Sequence, residues 1–218
     1  VPSIYEVPLK MQEQKLDEIV LRKTGMEIGP RPELKPWREF LAHMQNAKDT
    51  VRIGLVGKYV ELQDAYKSIN EALFQAATYN NRKLDLQYIH SEKLTESNVE
   101  EKLSSMDGLI IAPGFGQRGV EGKFVALKYA REHDVPTFGI CLGMQCMVIE
   151  YARDVLGYKD ANSTEMDVNT PHNVIDLMES QKCISNMGGT MRLGEYDCIL
   201  QEGSKAEQAY GKNHIKER

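Results

Sequence analysis

Apolar and polar positions follow two regimes along the chain. From residue 51 onward, short apolar runs alternate with amphipathic stretches. Residues 51–57 (VRIGLVG) form an apolar run that ends in glycine and predict a buried strand. Residues 64–80 predict a helix with Ile69, Leu73 and Ala76 on one face, and residues 84–90 alternate as a strand does. A short helix is expected over 95–104, with Thr95 as its cap. Residues 108–112 (GLIIA) and 136–141 (PTFGIC) predict two more buried strands, each followed by a helix, at 120–132 and 142–153. Four β-α units imply an α/β fold with a mostly parallel sheet, a flavodoxin-like core and helices on both faces. Ligands then belong at the carboxyl ends of the strands.

Residues 1–50 differ. They hold Pro2, Pro8, Pro30, Pro32 and Pro36, five of the eight prolines. One amphipathic helix is expected over 9–23, with Met11, Leu16, Ile19 and Val20 on one side, and a shorter one around Trp37, Phe40, Leu41 and Met44. Such a segment predicts a connector packed on a domain, so the expected division is 1–50 and 51–218. After Asn162 the regularity fades, and only residues 190–200 read as a strand, in an antiparallel extension.

Composition narrows the function classes. At 218 residues with 41% hydrophobic positions, the chain can bury a core. A net charge of −5 and the lack of a basic stripe argue against nucleic-acid binding. No apolar run reaches a membrane span. The four cysteines (Cys141, Cys146, Cys183, Cys198) contain no CxxC pair and form no disulfide framework. Reduced thiols point to the cytoplasm, and no metal site is expected.

The strongest chemical signal is Gly139-Ile140-Cys141-Leu142-Gly143, a G-x-C-x-G between a predicted strand and a predicted helix. This is a nucleophile elbow with cysteine in place of serine. A tight turn lifts the nucleophile above the sheet, and small residues two before and two after let strand and helix approach. The sulfur then lies at a helix N-terminus, whose partial positive charge favours an anion. The Leu142 N–H is free to face a developing oxyanion. A buried structural cysteine between incidental glycines is the competing reading; the strand and helix on either side favour the elbow. Cys146 reads as core.

Residues 113–119 (PGFGQRG) contain G-x-G-x-x-G, a pattern dinucleotide sites also use. It follows the third strand rather than the first, no acidic residue ends the next strand, and Pro113 removes an N–H. The loop is better read as the source of a second oxyanion donor, the Gly114 N–H. No Walker A motif is present. A base for the thiol is not identifiable among His43, His90, His133, His172 and His214. Another elbow-cysteine hydrolase, a nucleotide-binding module and a non-catalytic assembly module stay open on these residues alone.

Together these residues resemble the class I (triad) glutamine amidotransferase domain of the CTP synthase family. The resemblance runs the length of the chain. It is carried by Gly57-Lys58-Tyr59-Val60-Glu61-Leu62 with Asp64-Ala65-Tyr66-Lys67-Ser68, by residues 113–122 (PGFGQRGVEG) and by residues 139–145 (GICLGMQ). Residues 161–165 (ANSTE), 188–194 (GGTMRLG) and 3–8 (SIYEVP) extend it. Pro113 stands where many members have glycine.

The resemblance implies that Cys141 attacks the L-glutamine carboxamide and forms a glutamyl thioester, with Gly114 and Leu142 as oxyanion donors. It places Gly114, Leu142, Gly143, Met144, Gln145 and Glu165 around glutamine, and Arg118, Gly119 and Glu121 in a lid linked to activation by GTP. Ammonia would pass to a separate domain that uses ATP and Mg2+ to convert UTP to CTP, in a homotetramer. No cofactor is expected in these residues themselves. That domain would precede Val1, and a catalytic histidine and glutamate would follow Arg218. The 218 residues alone are therefore expected to hydrolyse glutamine weakly or not at all.

Overall fold

The computed structural model describes residues 1–177 and 194–217. It contains two compact units, Val1–Ile175 and Asp176–Arg218. The first is built on four strands, β1 (Asp49–Gly57), β2 (Arg82–His90), β3 (Gly108–Ile111) and β4 (Thr137–Gly139). They hydrogen-bond in the order β2-β1-β3-β4, and every pair is parallel. Strand order reverses beside β1, so the turns after β1, β3 and β4 meet at one rim, where open α/β sheets bind ligands.

Strand periodicity divides the core. Val56, Ile89, Leu109 and Ile111 point to one face, where they meet α5 (Val99–Leu103), α6 (Val120–Glu132) and α7 (Leu142–Asp154). Leu55, Leu86, Tyr88 and Ile110 point to the other, with Tyr66 and Ile69. Ile69 belongs to α4 (Lys67–Tyr79). Helices thus cover both faces, as the apolar pattern requires. Leu55, Val56 and Ile111 are fully buried, a burial that stabilises by about 2 kcal/mol per side chain. On α4 the buried residues are Ala77 and Thr78, not Ala76: beside Ile69 and Leu73 the inward row runs in steps of four to Ala77. Helix α5 starts later than expected. The Thr95 carbonyl accepts from the Asn98 and Val99 N–H groups, so Thr95 forms a turn ahead of the helix instead of capping it.

The N-terminal residues fold as α1 (Val7–Glu13), α2 (Leu16–Thr24) and α3 (Lys35–Asn46). The single helix expected over 9–23 is two. Lys15 adopts a left-handed conformation (φ 55°), and the Gln14 and Lys15 N–H groups turn back to the Lys10 and Gln12 carbonyls and close α1. Met11, Leu16, Ile19 and Val20 stay 41–50% exposed. The segment attaches elsewhere: the Tyr5 ring lies 5.3 Å from both Phe40 and Phe74, the latter on α4, and Trp37 Nε1 donates to the Tyr5 carbonyl at 2.7 Å. Tyr5 Oη also donates to the Glu71 carboxylate on α4.

Short strands β5 (Asn162–Ser163) and β6 (Asn173–Ile175) pair beside α7 and finish the first unit. In the second, β7 (Tyr196–Ile199) and β8 (His214–Glu217) form an antiparallel ribbon around α8 (Lys205–Tyr210). The strand expected over 190–200 is realised at 196–199. Residues 190–193, with Cys183 and most of the 188–194 block, lie outside the described residues. No described helix is long and apolar enough to cross a membrane.

Candidate active site

The turn from β4 into α7 places Cys141. The Ile140 N–H donates to the Ile111 carbonyl at 3.1 Å and keeps the chain in register with β3 for one residue past the strand. Cys141 then turns with φ 54° and ψ −111°, a conformation rare for a residue with a Cβ, and α7 begins at Leu142. Two glycines make this turn possible by close approach. A Cβ on Gly143 would stand 2.1 Å from the Ile111 carbonyl oxygen, and one on Gly139 would stand 2.5 Å from the Met144 nitrogen. The spacing read as G-x-C-x-G is thus a packing requirement on both sides of the cysteine. The Cys141 thiol is exposed. Cys146, one turn further, is fully buried, and burial pushes its thiol up to about 11. One thiol is presented at the rim and the other is core.

Leu142 is the first residue of α7, so its N–H lies outside the helix's own hydrogen-bond ladder. The glycine loop faces it: a Cβ on Gly114 would lie 3.7 Å from Leu142 Cδ2 and 3.6 Å from Lys58 Cε. Among the described residues no acceptor meets the Gly114 N–H. Gly114 thus lies beside Leu142, the residue that follows the exposed Cys141.

Two lysines to which the sequence reading gave no role in the site hold the glycine loop. Lys58, after β1, donates to the Phe115 carbonyl at 2.5 Å. Lys123, on α6, is 2% exposed and donates to the Ala112 carbonyl at 2.7 Å. Burial holds the Lys123 ammonium below the usual lysine range; Cys146 and Cys141 pull it back up, and Lys58 pushes it further down. A signal for Lys123 was available. It occupies the apolar row of α6 formed by Val120, Phe124, Leu127 and Ala130, where a charge is out of pattern.

The other candidate residues fall into two groups. Arg118 pairs with Glu92 at 3.1 Å and lies 5.4 Å from the Tyr59 ring, and Lys58 lies 5.3 Å from the same ring. Gly119 (φ 77°) fits against Ser91 in the turn after β2. Glu121 faces elsewhere: with Gln117, Phe124, Arg153, Met166 and Asp167 it lines a cleft of about 480 Å³. Gln117 Nε2 donates to the Met166 carbonyl, tying the glycine loop to the turn that carries Glu165. Glu165 is exposed, and its N–H donates to Ser163 Oγ at 3.2 Å. Met144 is exposed and Gln145 half-buried on the first turn of α7.

Each histidine has a partner other than the thiol. His43 contacts Asn81, His90 accepts from the Glu92 N–H, His133 stacks on Tyr129, and His172 joins Asp160. His214, in the second unit, lies 3.4 Å from Asp197.

Comparison with known proteins bears on this arrangement. Residues 61–217 match the family described as glutamine amidotransferase class-I. Over 218 residues the chain is 66% identical to a CTP synthase of Porphyromonas gingivalis, and over 216 residues 64% identical to one of Bacteroides fragilis. These matches cover 100% and 99% of this chain but 40% of each relative, so the chain spans well under half the length of the curated relatives it matches. Among solved structures, the glutaminase domain of Trypanosoma brucei CTPS with bound acivicin matches with a TM-score of 0.69 and 37% identity, over 78% of this chain and 66% of that one.

Proposed function

The chain belongs to the class-I glutamine amidotransferases, and from that premise we propose that it is the glutamine-hydrolysing part of a CTP synthase, with Cys141 as nucleophile. The observation that carries the proposal is the backbone at Cys141, an exposed thiol held at φ 54° and ψ −111° where β4 turns into α7. Backbone strain of this kind costs on the order of 1–3 kcal/mol and persists where the surroundings enforce it. Here the bare backbones of Gly139 and Gly143 do so.

In the proposed reaction the Cys141 thiolate adds to the glutamine carboxamide carbon. The carbonyl oxygen becomes anionic between the Leu142 and Gly114 N–H groups. The tetrahedral adduct expels its nitrogen, which takes up a proton and leaves as ammonia, and a γ-glutamyl thioester remains. Water then adds to the thioester, and the thiol leaves as glutamate forms. Residues 142–145 contact the substrate side chain, and the Glu165 carboxylate receives its α-ammonium. The proton-transfer base comes from outside the groups that surround Cys141 among the described residues.

The wider assignment rests on the CTP synthase relatives. Ammonia passes to a separate part of a longer cytoplasmic, homotetrameric protein, where ATP and Mg2+ activate UTP. GTP activation is assigned to Arg118, Gly119 and Glu121. Support for Arg118 comes from its place with Lys58 at the Tyr59 ring, two cations suited to phosphates, whereas Glu121 lines the separate cleft beside Gln117.

The test is Cys141→Ser in the full-length enzyme. Glutamine-dependent CTP formation is expected to fall by at least about a thousandfold, while formation from added ammonia stays near wild type. Glutamine-dependent turnover that survives the substitution overturns the proposal.

A further inference from the structure

Two charged side chains, Lys123 and Glu150, are buried in the described residues. Glu150 has its counterion: Arg131 Nη2 lies 2.8 Å away. Lys123 has none. Among the described residues no carboxylate lies within ion-pair distance of it, and its partner is the Ala112 carbonyl. An ammonium buried against a neutral oxygen is a costly arrangement, and a methionine of similar length would pack there without the desolvation penalty. The location of that carbonyl indicates a use for it.

Ala112 is fully buried, and its N–H donates to the Val56 carbonyl at 2.9 Å, extending the β1–β3 ladder by one residue. Pro113 follows, with its ring fixing φ and no N–H to bond. Gly114 comes next and carries the oxyanion donor of the proposed reaction. The 112–113 peptide is therefore held at its start by β1, on its carbonyl by Lys123 and at its end by the proline ring. The direction of the Gly114 N–H then depends on the one torsion that remains, ψ of Pro113.

We propose that Lys123 is a positioning residue: by clamping the Ala112 carbonyl from beneath, it aims the Gly114 N–H at the oxyanion formed on Cys141. This inference rests on the amidotransferase reading. Lys123 does not touch substrate and acts through the loop. The charge makes the clamp stiffer than a neutral donor would, since a hydrogen bond from an ionised group is roughly twice as strong as a neutral one. The Phe115 carbonyl, held by Lys58, anchors the loop one residue beyond the same glycine.

The test is Lys123→Met in the full-length enzyme, with the pH profiles of kcat and of Cys141 alkylation recorded side by side and their plateaus compared where the Lys123 ammonium keeps its proton. Glutaminase kcat is expected to fall about 10- to 100-fold, as a misaimed oxyanion donor should cost somewhat less than a lost one, with KM within about twofold. Alkylation of Cys141 by iodoacetamide forms no oxyanion, because sulfur displaces iodide at a saturated carbon. Its plateau rate is expected to stay within about twofold of wild type. Lys123→Gln keeps a donor near the carbonyl and is expected to recover part of the turnover. If kcat is unchanged, if kcat and the alkylation rate fall together, or if Gln recovers nothing, the proposal is overturned. A raised alkylation midpoint with an unchanged plateau kcat also overturns it, and assigns Lys123 to the thiol instead. A wild-type enzyme whose Cys141 alkylates but which turns over no glutamine defeats the amidotransferase reading itself.

Discussion

The elbow and the N-terminal helices place glycine under opposite constraints. At the elbow, Gly139 and Gly143 have backbone atoms where a Cβ would be, at 2.5 Å and 2.1 Å. In the N-terminal region, Gly25 and Gly29 have nothing within 4 Å of a Cβ position. One region is over-determined, with strand β3, strand β4 and helix α7 all touching through bare backbone. The other is held by a few aromatic contacts, with its apolar stripe left in solvent. Lys15 in the second occupies the ordinary left-handed region (φ 55°, ψ 36°), whereas the first enforces φ 54° with ψ −111°, and Cys141 sits there.

The sharpest way to break this contrast is Gly143→Ala. The new Cβ meets a carbonyl that cannot move without disturbing β3, so a stability loss above about 3 kcal/mol is expected in denaturant titration, together with loss of Cys141 alkylation. Full stability in that variant would remove the packing account of the elbow.

Arg131→Met comes next. It strands the buried Glu150 carboxylate between α6 and α7 and should cost about 3 kcal/mol. A loss under about 1 kcal/mol would mean that Glu150 reaches water.

Third is a pH effect. The Cys146 thiol is raised from its ordinary 9.0 to about 11, so the folded state keeps a proton that the unfolded state releases. That contribution, roughly 2–3 kcal/mol, is complete below pH 9 and is lost as pH rises through about 11. Cys146→Ala should flatten that part of the stability curve, and a curve of unchanged shape would contradict the assignment.

Cys141→Gly is expected to raise stability by about 1 kcal/mol by releasing the left-handed strain, with the thiol chemistry gone. The smallest effect is in the N-terminal region. Ile19→Ser on α2 should shift stability by no more than about 0.5 kcal/mol, since Ile19 is 43% exposed.

The same contrast explains what could be read from residue order. The sheet and its helices were legible because period-2 and period-3.6 patterns report burial, and burial here follows a simple two-faced sheet. The elbow was legible because two glycines around a cysteine are an unusual expense for a strand–helix junction. The break at Lys15 was not: the apolar period runs through it, and the turn depends on local backbone bonds from Gln14 and Lys15. Lys123 was overlooked for a different reason. A lysine in an amphipathic helix is ordinarily at the edge of the apolar face, and only the position of the Ala112 carbonyl shows why this one points inward.

Trp37 is the only tryptophan in the chain. Its indole is bonded to the Tyr5 carbonyl and packed 5.9 Å from the Tyr5 ring, far along the sequence from the elbow. Intrinsic emission excited at the red edge therefore watches one event, the seating of the first 47 residues on α4. A spectroscopist following unfolding that way would record when the N-terminal segment lets go, and would see nothing of the moment the thiol's turn relaxes.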